Sequence, residues 1–374
     1  MLSIARRESG WKIAGKFLLA TLGAAALAAW SPRSRAEPYL AVQQGFACAQ
    51  CHVNPTGSGL RNAVGNAIAQ GVIPARQLST GDAAWTGVIN SFIAAGGDLR
   101  AEASWSNGGG ASAHSALSVE QARVYLGFTV VPERLALYID EQVAPDTAIN
   151  REAWGMVRFG SELWYLRAGR MVLPYGLRLQ DQSAFIRQVT GINMDTPDNA
   201  VELGYRSGPW DAQFALSNGT AGGLQGSNGK QYTAQLVHIR ERWRLGVSGN
   251  LNDNAGQRSR AAGLYAGVRT GPVAWLAETD FVAVQPGTSP TQHLAAALLE
   301  ANWHALPGGN LKFTAEWLDP DRRRSADLQT RYSIVGEYTP IQYLQLRLGA
   351  RTQGAQGTSQ RNLNQAFLQL HVYF

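Results

Sequence analysis

Two cysteines and a histidine stand close together near the start of the chain. Cys48, Cys51 and His52 form a Cys-x-x-Cys-His sequence, and the 374-residue chain has no other cysteine. Two thiols at this spacing can each bond one vinyl group of a porphyrin, and the adjacent imidazole can ligate the iron. The spacing predicts one covalently attached haem c, with His52 as its metal ligand. The alternative is a small redox or disulfide Cys-x-x-Cys with an incidental histidine.

A second ligand for the iron does not follow the motif. From Val53 to Ala113 the sequence has neither histidine nor methionine. The haem is therefore either five-coordinate or takes its sixth ligand from the later part of the chain. Each later candidate also has an ordinary interpretation, as a polar group of a loop or strand end or as a packing methionine. The candidates are His114, Met156, Met171, Met194, His238, His293, His304 and His371.

The motif lies in a short segment, residues 37–96, which is too small to build a robust core without a cofactor or a docking surface. Apolar residues at helical spacing predict two short amphipathic helices, one over residues 60–68 and one over residues 85–93. Between the motif and the first helix, residues 54–59 have the composition of a turn, and turn chemistry alone explains them. We interpret residues 37–96 as a monohaem cytochrome c segment.

Residues 1–36 have the features of an export signal. Basic residues precede an apolar stretch from Phe17 to Trp30, and Ser34-Arg35-Ala36 fits a cleavage site, so the mature chain is expected to begin at Glu37. A retained membrane anchor is the alternative, but the apolar stretch is shorter than a spanning helix needs. Removal of this signal leaves 27 basic and 26 acidic residues, so the net charge falls from +6 to +1. No basic tract remains that would indicate nucleic-acid binding.

From residue 97 to residue 374 the sequence repeats segments of about ten alternating residues, which is typical of a transmembrane β-barrel. In one such segment Trp243, Leu245 and Val247 alternate with polar or small residues, as a lipid face alternates with a lumen. The predicted fold is an all-β, sixteen-stranded antiparallel barrel of the outer membrane. Its strands are expected near 97–106, 119–131, 134–142, 151–160, 162–171, 199–207, 209–218, 230–240, 242–252, 260–270, 272–284, 293–305, 309–318, 329–339, 342–352 and 364–374.

The lengths of the connections and the last residue predict how the barrel is oriented in the membrane. Short turns alternate with longer connections, so the short ones are expected on the periplasmic side and the longer ones outside. The chain ends on Phe374, and a last strand ending in Phe resembles the insertion signal of bacterial outer-membrane barrels. An edge strand of a soluble all-β domain is the alternative for this strand alone.

The longest connection, residues 172–199, is the third external one and is expected to fold inward and narrow the pore. Its Pro-Tyr-Gly-Leu-Arg stretch, residues 174–178, loosely resembles phosphate-selective porins of the O and P type.

Arginines on the predicted lumen face suggest an anion path, unless they pair with acids such as Asp140, Asp211 and Glu316. These arginines are Arg123, Arg158, Arg167, Arg244, Arg269 and Arg347, with Arg178 and Arg187 on the long loop.

Residues 36–52 resemble the N-terminal signature of the fused monohaem cytochrome-porins, outer-membrane proteins of iron-oxidising bacteria. The chain departs from that signature at Leu40 and Val42, and in residues 54–57 after the motif. The matching positions are Ala36, Pro38, Ala41, Gln43, Gly45, Cys48, Cys51 and His52. The resemblance implies haem c as cofactor and ferrous iron as an extracellular electron donor.

The first functional hypothesis is an outer-membrane electron conduit, an electron-transfer oxidoreductase that links an external donor to periplasmic cytochromes or other carriers. The second is an anion-preferring outer-membrane porin in which the haem segment is a plug or redox gate. The third is a structural sleeve around a separate periplasmic multihaem cytochrome. No motif for hydrolytic or nucleophilic catalysis is present. Porins of this size also suggest a homotrimer.

Overall fold

The computed structural model describes residues 37–79, 85–145, 147–223, 228–254, 257–357 and 362–374. The expected signal peptide, residues 1–36, lies outside these ranges. In the described parts of the chain, sixteen strands form a closed barrel, and each strand is antiparallel to its neighbours. The sixteen-stranded barrel expected from the sequence is thereby confirmed.

The strands are β1 (Ile93–Gly108), β2 (Ala111–Val131), β3 (Leu135–Ala144), β4 (Ile149–Phe159), β5 (Trp164–Met171), β6 (Asp198–Ser207), β7 (Trp210–Ser217), β8 (Lys230–Ile239), β9 (Trp243–Asn254), β10 (Gln257–Thr270), β11 (Val273–Pro286), β12 (Gln292–Leu306), β13 (Gly309–Asp319), β14 (Gln329–Ile341), β15 (Leu344–Ala355) and β16 (Leu363–Tyr373). Three short α-helices accompany them: α1 (Pro38–Gln44), α2 (Ala63–Gly71) and α3 (Phe185–Thr190). The barrel closes where β1 meets β16, with Asp98 opposite Tyr373.

Alternation along the strands places apolar side chains outside and polar ones inside. In β9, Leu245 and Val247 are exposed, whereas Arg244 and Ser248 are buried in the lumen. The same pattern in β16 exposes Leu368 and Leu370 and buries Gln369. An apolar outer face on a closed barrel is suited to lipid, because every backbone group is paired within the wall. The protein is therefore an outer-membrane barrel. Among the described residues, no helix is both long and apolar enough to cross a membrane.

The first hairpin differs from the sequence expectation. Strand β2 begins at Ala111 rather than near residue 119, and only Gly109 and Gly110 separate β1 from β2, so this outer connection is a tight turn. All three glycines from Gly108 to Gly110 have positive φ, which such a turn requires. The prediction of a long external loop between β1 and β2 is therefore wrong. Residues 111–115 are exposed, so both faces of the strand meet water and lack an apolar signal.

The N-terminal segment, residues 37–79, lies inside the barrel, and we call it the plug. Its first helix, α1, packs against β10 and β11. Its second helix, α2, agrees with the predicted helix over residues 60–68, and the Asn62 side chain caps it by accepting from Gly65 N at 3.0 Å. The last part of the plug is a short turn that runs along β14, where Ala75 N donates to Thr339 O at 2.8 Å.

The second predicted helix, over residues 85–93, is wrong. Residues 85–92 form bends and one isolated bridge, and Ile93 already begins β1, earlier than the predicted start at 97. Asn90 explains the difference, because its side-chain oxygen accepts from the backbone N–H groups of Phe92 and Ile93, both at 2.8 Å. This local hydrogen bonding competes with helix formation. Phe92 instead packs on Phe128, with ring centroids 5.8 Å apart.

The connection between β5 and β6, residues 172–197, folds into the lumen as predicted, and we call it loop 3. Tyr175 OH donates to Asp280 on β11 at 2.9 Å, and Phe185 N donates to Glu316 on β13 at 2.7 Å. Phe185 and Ile186 are almost fully buried. Loop 3 therefore crosses from β5 to the opposite wall and, with the plug, fills much of the lumen.

Candidate functional site in the lumen

The Cys-x-x-Cys-His motif forms a tight turn in the plug. A 3₁₀ turn spans Cys48–Gln50, and the N–H groups of Cys51 and His52 both donate to the carbonyl of Cys48 at 3.1 Å. Gln50 fixes the start of this turn, since its side-chain oxygen accepts from Ala47 N at 2.7 Å. Beyond the turn, His52 pairs with Arg61 in an antiparallel bridge. The motif is thus followed by a small hairpin whose tip is the turn of residues 54–59.

Cys48, Cys51 and His52 line one cavity in the lumen. The cavity has a volume of about 220 Å³ and is partly open to solvent. Its walls combine the motif with the hairpin tip, with loop 3 and with the barrel strands. Both cysteines are half-buried and free. The structure therefore brings all three predicted site residues to one chamber.

Burial sets the protonation of the motif. It lowers the pKa of His52 to about 3, and the charges of Arg61 and Arg178 act in the same direction, while the backbone of Gly59 and Ser58 opposes them. Burial also raises the pKa of Cys51 to about 11, helped by Cys48 and opposed by Arg61. At neutral pH the imidazole is therefore uncharged, which is the form that binds a metal.

The residues of the motif fit a haem c. The Nδ1 atom of His52 is buried and has no hydrogen-bond partner among the residues described. The donor set is nevertheless the one that a covalent haem uses: two free thiols and an uncharged imidazole in one chamber. The two thiols could anchor the porphyrin, and His52 could ligate the iron. No group of three or more His, Cys, Asp or Glu side chains in the described part of the chain is arranged to hold a bare metal ion.

The hairpin tip, residues 54–59, does more than form a turn. Asn54 is fully buried; its Nδ2 donates to Glu152 Oε2 at 2.6 Å, and its Oδ1 accepts from Arg167 Nη1 at 2.6 Å. Arg167 also pairs with Glu202 at 2.8 Å, and both side chains are fully buried. Turn composition alone did not reveal this role. Of these residues, only Arg167 was predicted to face the lumen.

Helix α1 is held at both ends by charged residues of the wall. At its start, Lys312 pairs with Glu37 at 2.5 Å and with Glu337 at 3.7 Å. At its end, Arg269 donates to Gln43 O at 2.8 Å and Arg244 donates to Phe46 O at 2.6 Å. Cations near the last carbonyls complement the negative end of a helix. The wall therefore complements the C-terminal end of α1, and at the N-terminal end its Lys312 pairs with the Glu37 carboxylate.

Most of the predicted lumen arginines are engaged with partners inside the barrel. Arg123 pairs with Asp140 at 3.5 Å, and Arg347 pairs with Glu337 at 3.2 Å. On loop 3, Arg187 pairs with Glu278, and Arg178 donates to Gly57 O at 2.6 Å. The other two acids named above also pair with arginines, Asp211 with Arg206 at 2.6 Å and Glu316 with Arg331 at 3.3 Å. The charge-pairing alternative describes this lumen better than a free arginine path.

The candidate sixth ligands are scattered over the molecule. His114 is exposed on the first hairpin, and His293 contacts Arg323 at 2.9 Å near the outer loops. His238 stacks on Trp243 at 5.2 Å, and His304 contacts Gln43 of α1. The remaining candidates face the interior: Met156 and Met171 are buried in an apolar cluster, and Met194 and His371 line the cavity of the motif.

Neither a protein-family model nor a curated protein matches this sequence. Several solved structures share its fold. An anion-selective porin from Comamonas acidovorans has a TM-score of 0.61 at 10% identity, covering 75% of this chain and 99% of its own.

The outer membrane channel DcaP of Acinetobacter baumannii gives a TM-score of 0.60 at 14% identity, covering 75% of this chain and 97% of its own. OmpT of Vibrio cholerae, in a trimer form, gives a TM-score of 0.59 at 10% identity, covering 75% of this chain and 99% of its own. At these identities the likeness shows a porin-type barrel and leaves the lumen contents to be argued from this chain.

Proposed function

We propose that this outer-membrane barrel is an electron conduit. A single haem c, attached to Cys48 and Cys51 and ligated by His52, would pass electrons between an extracellular donor and periplasmic carriers such as cytochromes. The observation that carries the proposal is the cavity that these three residues share inside a filled lumen. The resemblance of residues 36–52 to fused monohaem cytochrome-porins supports it and suggests ferrous iron as the donor.

The filling of the lumen supports electron transfer over solute passage. The plug is fixed by buried groups of the wall, among them Glu152 and Arg167, which both bind Asn54. Loop 3 closes on the plug from the other side, where Arg178 donates to Gly57 O. A cofactor in the chamber would block a solute path, whereas an electron needs no open channel. The same filling leaves little room for a separate cytochrome inside a sleeve.

The roles of the residues follow from their positions. A bound haem supplies one-electron transfer through its iron. Cys48 and Cys51 would fix the porphyrin edge to the turn, and neutral His52 would offer a lone pair to the iron. The Asn54 hydrogen bonds hold the hairpin that follows His52 against the wall, so the chamber keeps its shape. Loop 3 screens the chamber from the external medium.

A reconstituted system tests the proposal. Proteoliposomes that enclose an oxidised cytochrome are challenged with external ferrous iron, and planar bilayers report the conductance of the same preparation. We expect transmembrane reduction with little current, and loss of most of the transfer in His52→Ala. His114→Ala is the matched control, because His114 is exposed on the first hairpin and lies away from the chamber. Transfer that is unchanged in His52→Ala would overturn the proposal.

A second candidate is an anion-preferring porin in which the plug gates the pore. Similarity to a structure described as an anion-selective porin favours it. The bilayer measurement separates the candidates. A large anion-selective current in haem-loaded protein, without electron transfer, would establish the porin and remove the conduit.

A homotrimer forms part of the same proposal, supported by the trimer form of OmpT among the similar structures. Light scattering of the detergent-purified protein, corrected for bound detergent, is expected to give three copies per particle. A single copy would contradict it.

A further inference from the structure

Loop 3 meets the plug beside the Cys-x-x-Cys-His motif. Ser58 Oγ donates to Met194 Sδ at 3.5 Å, and the preceding residue, Gly57, accepts from Arg178 at 2.6 Å. Gly57 in turn packs on Cys48, since a Cβ built at Gly57 would lie 3.4 Å from the Cys48 sulfur. The sulfur of Met194 is thus linked through two adjacent plug residues to the side chain expected to anchor the porphyrin.

From this geometry we propose that Met194 is the sixth ligand of the haem iron. The inference rests on the proposed function, since it requires a haem on Cys48 and Cys51. It identifies the ligand as a residue of the external loop rather than of a barrel strand. Among the described residues, the Met194 sulfur has one weak hydrogen bond, from the Ser58 hydroxyl, which an iron could replace at small cost.

The other interior candidates are less available. His371 also lines the cavity, but its Nδ1 lies 3.0 Å from Gln345 Oε1 and its Nε2 lies 2.7 Å from Asp98 Oδ2. Both ring nitrogens are therefore engaged, and ligation would break a buried hydrogen bond. Met156 and Met171 pack in the apolar cluster with exposures of 1% and 0%, and neither lines the cavity.

The candidates outside the chamber can be set aside by position. His304 is turned toward Gln43 and Tyr39 of α1. His238 lies between Trp210 and Trp243, with ring centroids 4.5 and 5.2 Å away. His114 and His293 belong to the outer hairpins. Met194 is the candidate that combines a place in the chamber with a nearly free donor atom.

Ligation by Met194 would join loop 3 to the plug through the iron. A methionine ligand opposite a histidine raises the reduction potential of a haem compared with two histidines. Such a haem accepts electrons from weaker reductants. The ligand would also make the position of loop 3 dependent on the cofactor.

The test uses the purified haem-loaded chain and spectroscopy rather than activity. We expect the ferric wild type to show the weak deep-red charge-transfer band of thioether-ligated haem, and Met194→Leu to lose it while keeping covalent haem. Met194→His should restore a six-coordinate spectrum with a lower midpoint potential. Met171→Leu is the matched control and should keep the band, because it exchanges a buried methionine of the same interior for an apolar residue of similar size.

Each result bears on a different claim. A haem-loaded wild type without the band, or a band that persists in Met194→Leu, would overturn Met194 as ligand and leave the conduit standing. A wild-type chain that carries no covalent haem would overturn the conduit itself, and the ligand with it. Haem staining on a denaturing gel, run beside every spectrum, distinguishes the two failures.

Discussion

The wall of this barrel and the material inside it are held by different interactions. Wall strands pair with sequence neighbours through regular backbone ladders, as β9 does with β10. The plug and loop 3 are held by side chains far away in sequence, such as Lys312 with Glu37 and Phe185 with Glu316. A wall built on local periodicity tolerates much sequence change, whereas an interior built on individual charged pairs depends on single residues. Variants that affect the two regions separately should therefore behave differently.

The largest effect is expected from Cys48→Ala combined with Cys51→Ala. Covalent haem should disappear completely, because no other cysteine in the chain can replace either thiol. The barrel should still form, since the ladders of the wall do not involve these residues. Haem staining on a denaturing gel and heat-modifiable migration measure the two outcomes. Stain that survives in the double variant would contradict the predicted attachment.

The next effect is expected from Arg167→Met. It leaves the fully buried Glu202 carboxylate without its partner and removes a donor to Asn54, and breaking a buried pair in this way costs about 3–5 kcal/mol. The matched control is Arg258→Met, whose pair with Asp253 is two-thirds exposed and is worth about 0–1 kcal/mol. Urea titration of the detergent-solubilised protein measures both. Equal losses in the two variants would show that the buried pairs of the lumen are no more important than the exposed pairs of the rim.

Two glycines with similar backbone angles give a finer comparison. Gly59 in the plug has φ +65° and Gly271 in a wall turn has φ +58°, so alanine at either position costs about 1–2 kcal/mol of backbone strain. Only Gly59 also faces a neighbour, the Tyr138 hydroxyl, which an added Cβ would strike. We expect Gly59→Ala, and not Gly271→Ala, to raise the leak current in planar bilayers. Similar currents in both would show that the docked tip does not seal the lumen.

The smallest effect concerns pH in the haem-free double cysteine variant. The folded pKa of His52, about 3, lies below its ordinary value of 6.5, so folding favours the neutral ring. The stability of the docked plug should therefore be nearly constant above about pH 7.5 and fall at lower pH, by about 1 kcal/mol between pH 6.5 and 5.5. Hydrogen exchange of plug amides, corrected for intrinsic rates, reports this loss. A His52→Phe version should show no such slope.

The sequence was sufficient to predict the strands of the wall and insufficient to predict the contacts inside the lumen, for a physical reason. Trp243, Leu245 and Val247 reveal β9 because alternation is local and lipid rewards it along the whole strand. The first hairpin was partly missed because its outer end meets water on both faces. Helix α1 was missed because seven residues from Pro38 to Gln44 carry too few turns to establish a period.

The candidate site divides in the same way. The spacing of Cys48, Cys51 and His52 revealed the motif because its chemistry is contained in five consecutive residues. Asn54 gave no comparable signal, since its partners Glu152 and Arg167 lie about a hundred positions away. The choice of Met194 over His371 likewise depends on which donor atoms are already engaged, and only a folded chain can show that.

The seam between β1 and β16 imposes an order on biogenesis. Gly97 and Phe374 exchange backbone hydrogen bonds of 3.1 Å, so Phe374 completes the ring around a plug that precedes the strands in the chain. Once these two hydrogen bonds form, the wall surrounds the plug and loop 3 covers it. A group as large as a porphyrin would reach the thiols of the plug most easily before the barrel closes. Haem attachment would then precede membrane insertion, and a barrel that closed before attachment would lack its haem.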